Sequence, residues 1–88
     1  MTQRADFAKI ELHLIRVLQT VIIERSVSRA AMRLATTQPV VSAQLKRLRL
    51  LTGDPLLVRA GNGMMPTEAA LAMIEPATRV LQDAERLF

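Results

Sequence analysis

TTQPVVSAQLKRLR, residues 36–49, decides how this chain is read. Thr37 has the side chain of a helix cap. Pro39 falls in the first turn, where its missing N–H has no intrahelical partner to lose. Val41, Leu45 and Leu48 then recur at i, i+4, i+7 and form one buried stripe. On the opposite side Gln38, Ser42 and Lys46 line up at i, i+4, i+8, with Pro39 and Ala43 beside them. That face is polar but small, so another surface can come close to the helix backbone. Gly53 offers the left-handed stop, and the helix is predicted over about 37–52.

Working outward, Ser26 and Ser28 are cap candidates for a short helix through residues 29–35. Its Ala30 and Ala31 permit close approach of another helix, and Leu34 anchors it. Only Thr36 and Thr37 separate the two helices, which is the layout of a helix-turn-helix. Upstream, residues 9–24 place Leu12, Ile15, Leu18, Val21 and Ile22 at helical spacing. Downstream, PLLVR (55–59) and MMPT (64–67) flank Ala60-Gly61-Asn62-Gly63, with Asn62 and Gly63 suited to positive φ. Two short apolar runs around such a turn predict a β-hairpin, the wing of a winged helix-turn-helix.

TEAALAMIEPATRVLQDAERLF (67–88) reads as a long helix capped by Thr67. Ala70, Ile74, Ala77, Leu81, Ala84 and Phe88 follow a heptad spacing. Pro76 interrupts the segment and predicts a kink or a local weakness. One helix of this length on so small a domain predicts a homodimer seam along that stripe, in preference to packing on its own domain. The fold class is therefore mainly all-α: a winged helix-turn-helix with a small two-stranded β wing (1–66), then a long linker helix (67–88).

Bulk properties narrow the chemistry. Eighty-eight residues make one small domain with a modest core. No cysteine excludes disulfides, thiolate zinc sites and cysteine nucleophiles, and the single histidine, His13, has no second imidazole beside it. Neither a metal, a cofactor nor a catalytic residue is expected, and the chain does not read as an enzyme. No apolar run approaches the ~20 residues that cross a bilayer, and the N-terminus has no signal-peptide layout, so a cytoplasmic protein is expected. The net charge is +4, yet residues 25–59 hold seven basic residues against one acid, Asp54. A patch of that kind suits a phosphate backbone, although solvated basic faces are also common.

Four stretches, SVSRAAMRL (26–34), TQPVVSAQLKRLR (37–49), GDPLLVR (53–59) and PT (66–67), together resemble the DNA-binding domain of LysR-type bacterial transcriptional regulators. They stand in the family's order and spacing, and with the flanking helices the resemblance covers nearly the whole chain. It implies a dimer, joined by antiparallel linker helices, that binds inverted-repeat operators through a winged helix-turn-helix. It also implies an effector-binding domain that is absent from this chain, so no small-molecule ligand is expected in this fragment. The wording around the wing is most similar to members that answer to aromatic or flavonoid inducers. Several residues depart from the pattern: Ala43 where a long polar residue is frequent, Asn62 where the wing tip often has arginine, Arg49 for glutamate, Thr52 for leucine and Arg25 for glycine.

On that resemblance the third helix enters the major groove, where edge patterns distinguish all four base pairs. Gln38 is the first candidate for base readout, because an amide both donates to and accepts from adenine. Ser42 serves a base edge or a phosphate equally well. Pro39 and Ala43 suit thymine methyl groups, while Lys46 reaches a guanine edge or, as a flexible point charge, a phosphate. Arg29, Thr37, Arg59 and Asn62 are the backbone-facing candidates, which set register without reading sequence. Arg47 and Arg49 point away from this face and suit solubility or an ion pair with an acid such as Asp54; Arg33 has no assigned role. The partners expected are double-stranded DNA and a second copy of the chain, with no membrane. The competing reading is a helical dimerisation or adaptor module that does not bind DNA. RNA binding fits less well, since only Phe7 and Phe88 are present for stacking.

Overall fold

The structure, a computed structural model, describes residues 11–88. The predicted start of the first helix at residue 9, the stacking candidate Phe7 and the opening of the 1–66 domain lie outside the described residues.

Helix α1 (Leu12–Glu24) buries Leu14, Val17, Val21 and Ile22. Of the five apolar residues read at helical spacing, Val21 and Ile22 are buried, Ile15 and Leu18 are half-buried and Leu12 is 47% exposed. Apolar residues cover so much of this helix that two neighbouring stripes satisfy the helical period, and the pattern does not choose between them. The helix stops at Arg25, in the left-handed region at φ 55°, whose N–H donates to the Val21 carbonyl at 2.9 Å.

Helix α2 (Val27–Arg33) is capped by Ser26, whose Oγ accepts from the Arg29 N–H at 3.1 Å. It ends two residues earlier than predicted. Thr36 N–H reaches back to the Ala31 carbonyl at 2.9 Å and Ala35 N–H to Met32 at 3.2 Å, with Ala35 at φ 55°. This is a Schellman ending with alanine where glycine is usual. The turn of the helix-turn-helix thus spans residues 34–37. Ala30 and Ala31 are buried, as small residues must be where α2 meets its neighbours.

Helix α3 (Gln38–Thr52) follows the prediction closely. Val41, Leu45 and Leu48 are buried, Pro39 lies in the first turn, and Gly53 ends the helix at φ 69°. Strands β1 (Leu57–Ala60) and β2 (Gly63–Pro66) pair antiparallel, from Leu57 against Pro66 to Ala60 against Gly63. The loop is the dipeptide Gly61-Asn62, and the positive φ falls on Gly61 (57°) rather than on Asn62 or Gly63. A glycine at the first loop position is the signature of a type II′ hairpin, which matches the twist of the strands.

Helix α4 (Glu68–Leu87) starts at Thr67, whose Oγ1 accepts from the Ala70 N–H at 3.0 Å. It runs through Pro76 without a break. The ring removes the hydrogen bond that residue 76 would donate to the Ala72 carbonyl. α4 lies along α1, fastened by Gln19 Nε2 donating to Thr78 Oγ1 at 2.8 Å. The predicted dimer seam lies along this contact. Ala70, Ala77 and Leu81 are buried within the single chain, Ile74 and Ala84 are half-buried, and of the six only Phe88 is fully open. Burial of Leu81 alone is worth about 1.5–3 kcal/mol, so α1 offers this stripe enough reward without a second copy.

Candidate nucleic-acid interface

The polar face of α3 is presented as its spacing requires. Gln38, Pro39, Ala43 and Lys46 are exposed and Ser42 is half-buried. Gln38 Nε2 donates to Ser42 Oγ at 3.1 Å, the i to i+4 reach along one face. That bond holds the amide over the helix surface and leaves its carbonyl oxygen and second N–H for another partner.

Beside this face lies a concavity where four segments meet: the end of α1, the start of α2, the start of α3 and the wing. Arg25, Ser26, Arg29, Gln38, Arg59 and Asn62 line it. Of the predicted backbone candidates, Arg29, Arg59 and Asn62 are thus brought together around Gln38. Thr37 is exposed at the helix start; its side chain makes no capping bond, and its carbonyl accepts from Val41 N–H at 3.2 Å. Pro39, Ser42, Ala43 and Lys46 do not line the concavity and continue the face along α3.

The charges around it are unevenly satisfied. Glu24 takes Arg33 at 2.8 Å and Arg29 at 3.9 Å, which gives Arg33 the role that its sequence did not. Two guanidiniums over one carboxylate keep this edge positive. The side chains of Arg25, Lys46 and Arg59 have no hydrogen-bonding or ion-pair partner among the described residues.

Arg49, read as serving solubility or an ion pair with an acid such as Asp54, instead bonds backbone. Its Nε donates to the Pro55 carbonyl at 2.8 Å and Nη2 to that of Leu57 at 3.4 Å, tying α3 to the foot of the wing. Asp54 is occupied elsewhere. Its Oδ2 accepts from the Leu56 N–H at 2.8 Å and from the Thr67 hydroxyl at 2.6 Å, while Thr67 N–H donates to the Leu56 carbonyl at 3.0 Å. The latch holds fully buried Leu56 at φ 68°, a conformation that a branched residue does not adopt unaided. Thr52 donates its hydroxyl to the Leu48 carbonyl at 2.8 Å and accepts from the Asp54 N–H at 3.3 Å. Sequence reasoning missed this junction. Its signals were the aspartate before Pro55 and the threonine before α4, both residue types that bond nearby backbone.

A second surface lies between α1 and α4. Ile15 and Leu18 of α1 with Ala69, Met73, Pro76 and Val80 of α4 form an almost wholly apolar groove of about 490 Å³. No helix among the described residues is long and apolar enough to cross a membrane.

Three helices, the second and third joined by a short turn, a two-stranded wing and a trailing helix define a winged helix-turn-helix regulator domain. The sequence profile of "Bacterial regulatory helix-turn-helix protein, lysR family" matches residues 12–71, and the chain belongs to that family. The transcriptional activator NagR of Ralstonia sp. is 43% identical over 76 residues, which are 86% of this chain and 25% of NagR. The chain therefore spans about a quarter of the length of that relative. Among solved structures, the BenM DNA-binding domain in complex with benA site 1 DNA superposes with a TM-score of 0.79 at 27% identity, covering 89% of this chain and 88% of that one. The CbnR DNA-binding domain in its DNA complex gives 0.78 at 31% identity, covering 88% of each chain. The family is one of regulators, not enzymes.

Proposed function

We propose that this chain binds double-stranded DNA sequence-specifically, with α3 in the major groove, as a homodimer on an inverted repeat. The observation that carries the reading is the continuity of the exposed Gln38–Ser42–Lys46 face with a cleft that holds Arg29 and Arg59. One surface thus offers small polar groups for base edges and cations for the flanking phosphates. The BenM and CbnR complexes support it, since both relatives were solved on DNA with the same domain.

In this reading Gln38 pairs with an adenine edge, Pro39 and Ala43 meet thymine methyl groups, and Ser42 and Lys46 serve a base or a phosphate. Arg29, Arg59, Thr37 and Asn62 hold the backbone. Residues 1–66 are the DNA-binding unit and 67–88 the linker and dimerisation helix of a cytoplasmic transcriptional regulator.

The dimer uses a different edge of α4 from the one its heptads first indicate. Ala69, Met73, Pro76 and Val80 also follow 4, 3, 4 spacing, one residue before the buried stripe, and they face the open groove with Ile15 and Leu18. A second copy of the helix laid there covers apolar surface that one chain leaves wet. Selection from a random duplex library with the 88-residue chain tests the proposal. An enriched inverted repeat, half-sites one helical turn or a multiple apart, is the expected result. A lone half-site removes the dimer, and no enrichment returns the chain to the adaptor reading.

A further inference from the structure

We infer that Arg25, at the hinge between α1 and α2, is an additional phosphate-binding residue of the DNA surface. This rests on the DNA reading above and deepens it. Five arginines, Arg16, Arg29, Arg33, Arg79 and Arg86, have a carboxylate within 4 Å, and Arg49 is spent on two carbonyls. The side chains of Arg25, Lys46 and Arg59 remain without a partner among the described residues. These three are not scattered. Arg25 and Arg59 line the same concavity, together with Gln38, and Lys46 extends the Gln38–Ser42 face. Cations left uncompensated at one place are what a polyanion would neutralise.

The backbone at residue 25 strengthens the case. Arg25 sits at φ 55° and ψ 28°, in the left-handed region where glycine is the low-strain choice and a Cβ is a burden. Its side chain is exposed and fills no core position, so packing gives nothing back for that strain. A guanidinium aimed into a cleft of phosphate-seeking groups does. Arg25 also stands where Asn62 leaves the facing wing tip uncharged, so the cleft keeps a cation on each side: Arg25 and Arg29 from the helices, Arg59 from the strand.

Arg25→Gly separates this role from a structural one, because the two predict opposite signs. Relief of the left-handed strain should raise Tm by a few degrees. Affinity for every duplex should meanwhile fall roughly fivefold at 0.15 M salt, and the slope of log K against log salt should lose about 0.9. Arg25→Asn, neutral and tolerant of the same backbone region, should show the same loss of slope, and Arg25→Lys should restore most of it. A slope unchanged in both neutral variants, while the unsubstituted chain binds, overturns the assignment of Arg25 alone. Absence of saturable, salt-sensitive binding by the unsubstituted chain overturns the DNA reading and this assignment with it.

Discussion

The two helix pairs of this domain differ in how many ways their sequences can be folded. In α3 the buried stripe and the polar face have one assignment, Val41, Leu45 and Leu48 inward and Gln38, Ser42 and Lys46 outward, although Val40 and Leu50 are left exposed. In α1 and α4 small or apolar residues occupy two adjacent stripes. Either stripe meets the helical period, and only the fit of α1 against α4 decides which is buried inside one chain. A polar face is therefore specified residue by residue, whereas a doubly apolar helix is specified only with its partner present. The surplus apolar stripe is what suits such helices to association between copies.

That contrast breaks first at neighbouring residues of α4. Leu81→Asp buries a charge without a partner and should cost more than about 4 kcal/mol, so the chain should be largely unfolded by circular dichroism. Val80→Asp, one residue away, should leave the helical signal unchanged and the stability within about 0.5 kcal/mol of the parent. It should instead abolish self-association in sedimentation. If Val80→Asp unfolds the chain and Leu81→Asp does not, the stripes are assigned the wrong way round.

The junction between the two regions comes next in size. Asp54→Ala removes the acceptor of both the Leu56 N–H and the Thr67 hydroxyl, one end of the wing and the start of α4. Hydrogen bonds to a charged acceptor contribute about 1.5–3 kcal/mol, and a loss in that range should appear as a lower denaturant midpoint with an unchanged m-value. A loss below about 0.5 kcal/mol would mean that Leu56 holds its left-handed turn by packing alone.

On the polar side the effects are smaller and of another kind. Arg59→Ala should leave stability alone and weaken binding to all duplexes roughly fivefold at 0.15 M salt, with a salt slope reduced by about 0.9. Titration at three salt concentrations measures it. A change confined to one operator sequence would move Arg59 from the phosphates to a base edge.

Legibility follows the same division. The limits of α3, the wing and its order in the chain were readable because Pro39, Gly53 and the Gly61 loop are local chemistry, settled within a few residues. The positive φ of Gly61 rather than Asn62 was missed because the chain offers two glycines, and strand register decides which of them enters the loop. The Asp54–Leu56–Thr67 latch joins residues 13 apart and was invisible to any local rule. Arg49 was misread for a related reason: its wheel position was right, but two carbonyls of the wing outcompeted the nearest acid. Glu24 likewise gathers Arg29 and Arg33 only once α2 has turned back against α1.

The most direct test of the account is a duplex selection run in parallel on the unsubstituted chain and on Gln38→Ala. The account predicts the same half-site spacing in both pools. The variant should lose its preference at one base pair per half-site, equivalent to about 1–3 kcal/mol of discrimination. An identical motif from both chains would contradict it, because the amide at the head of α3 would then be reading nothing.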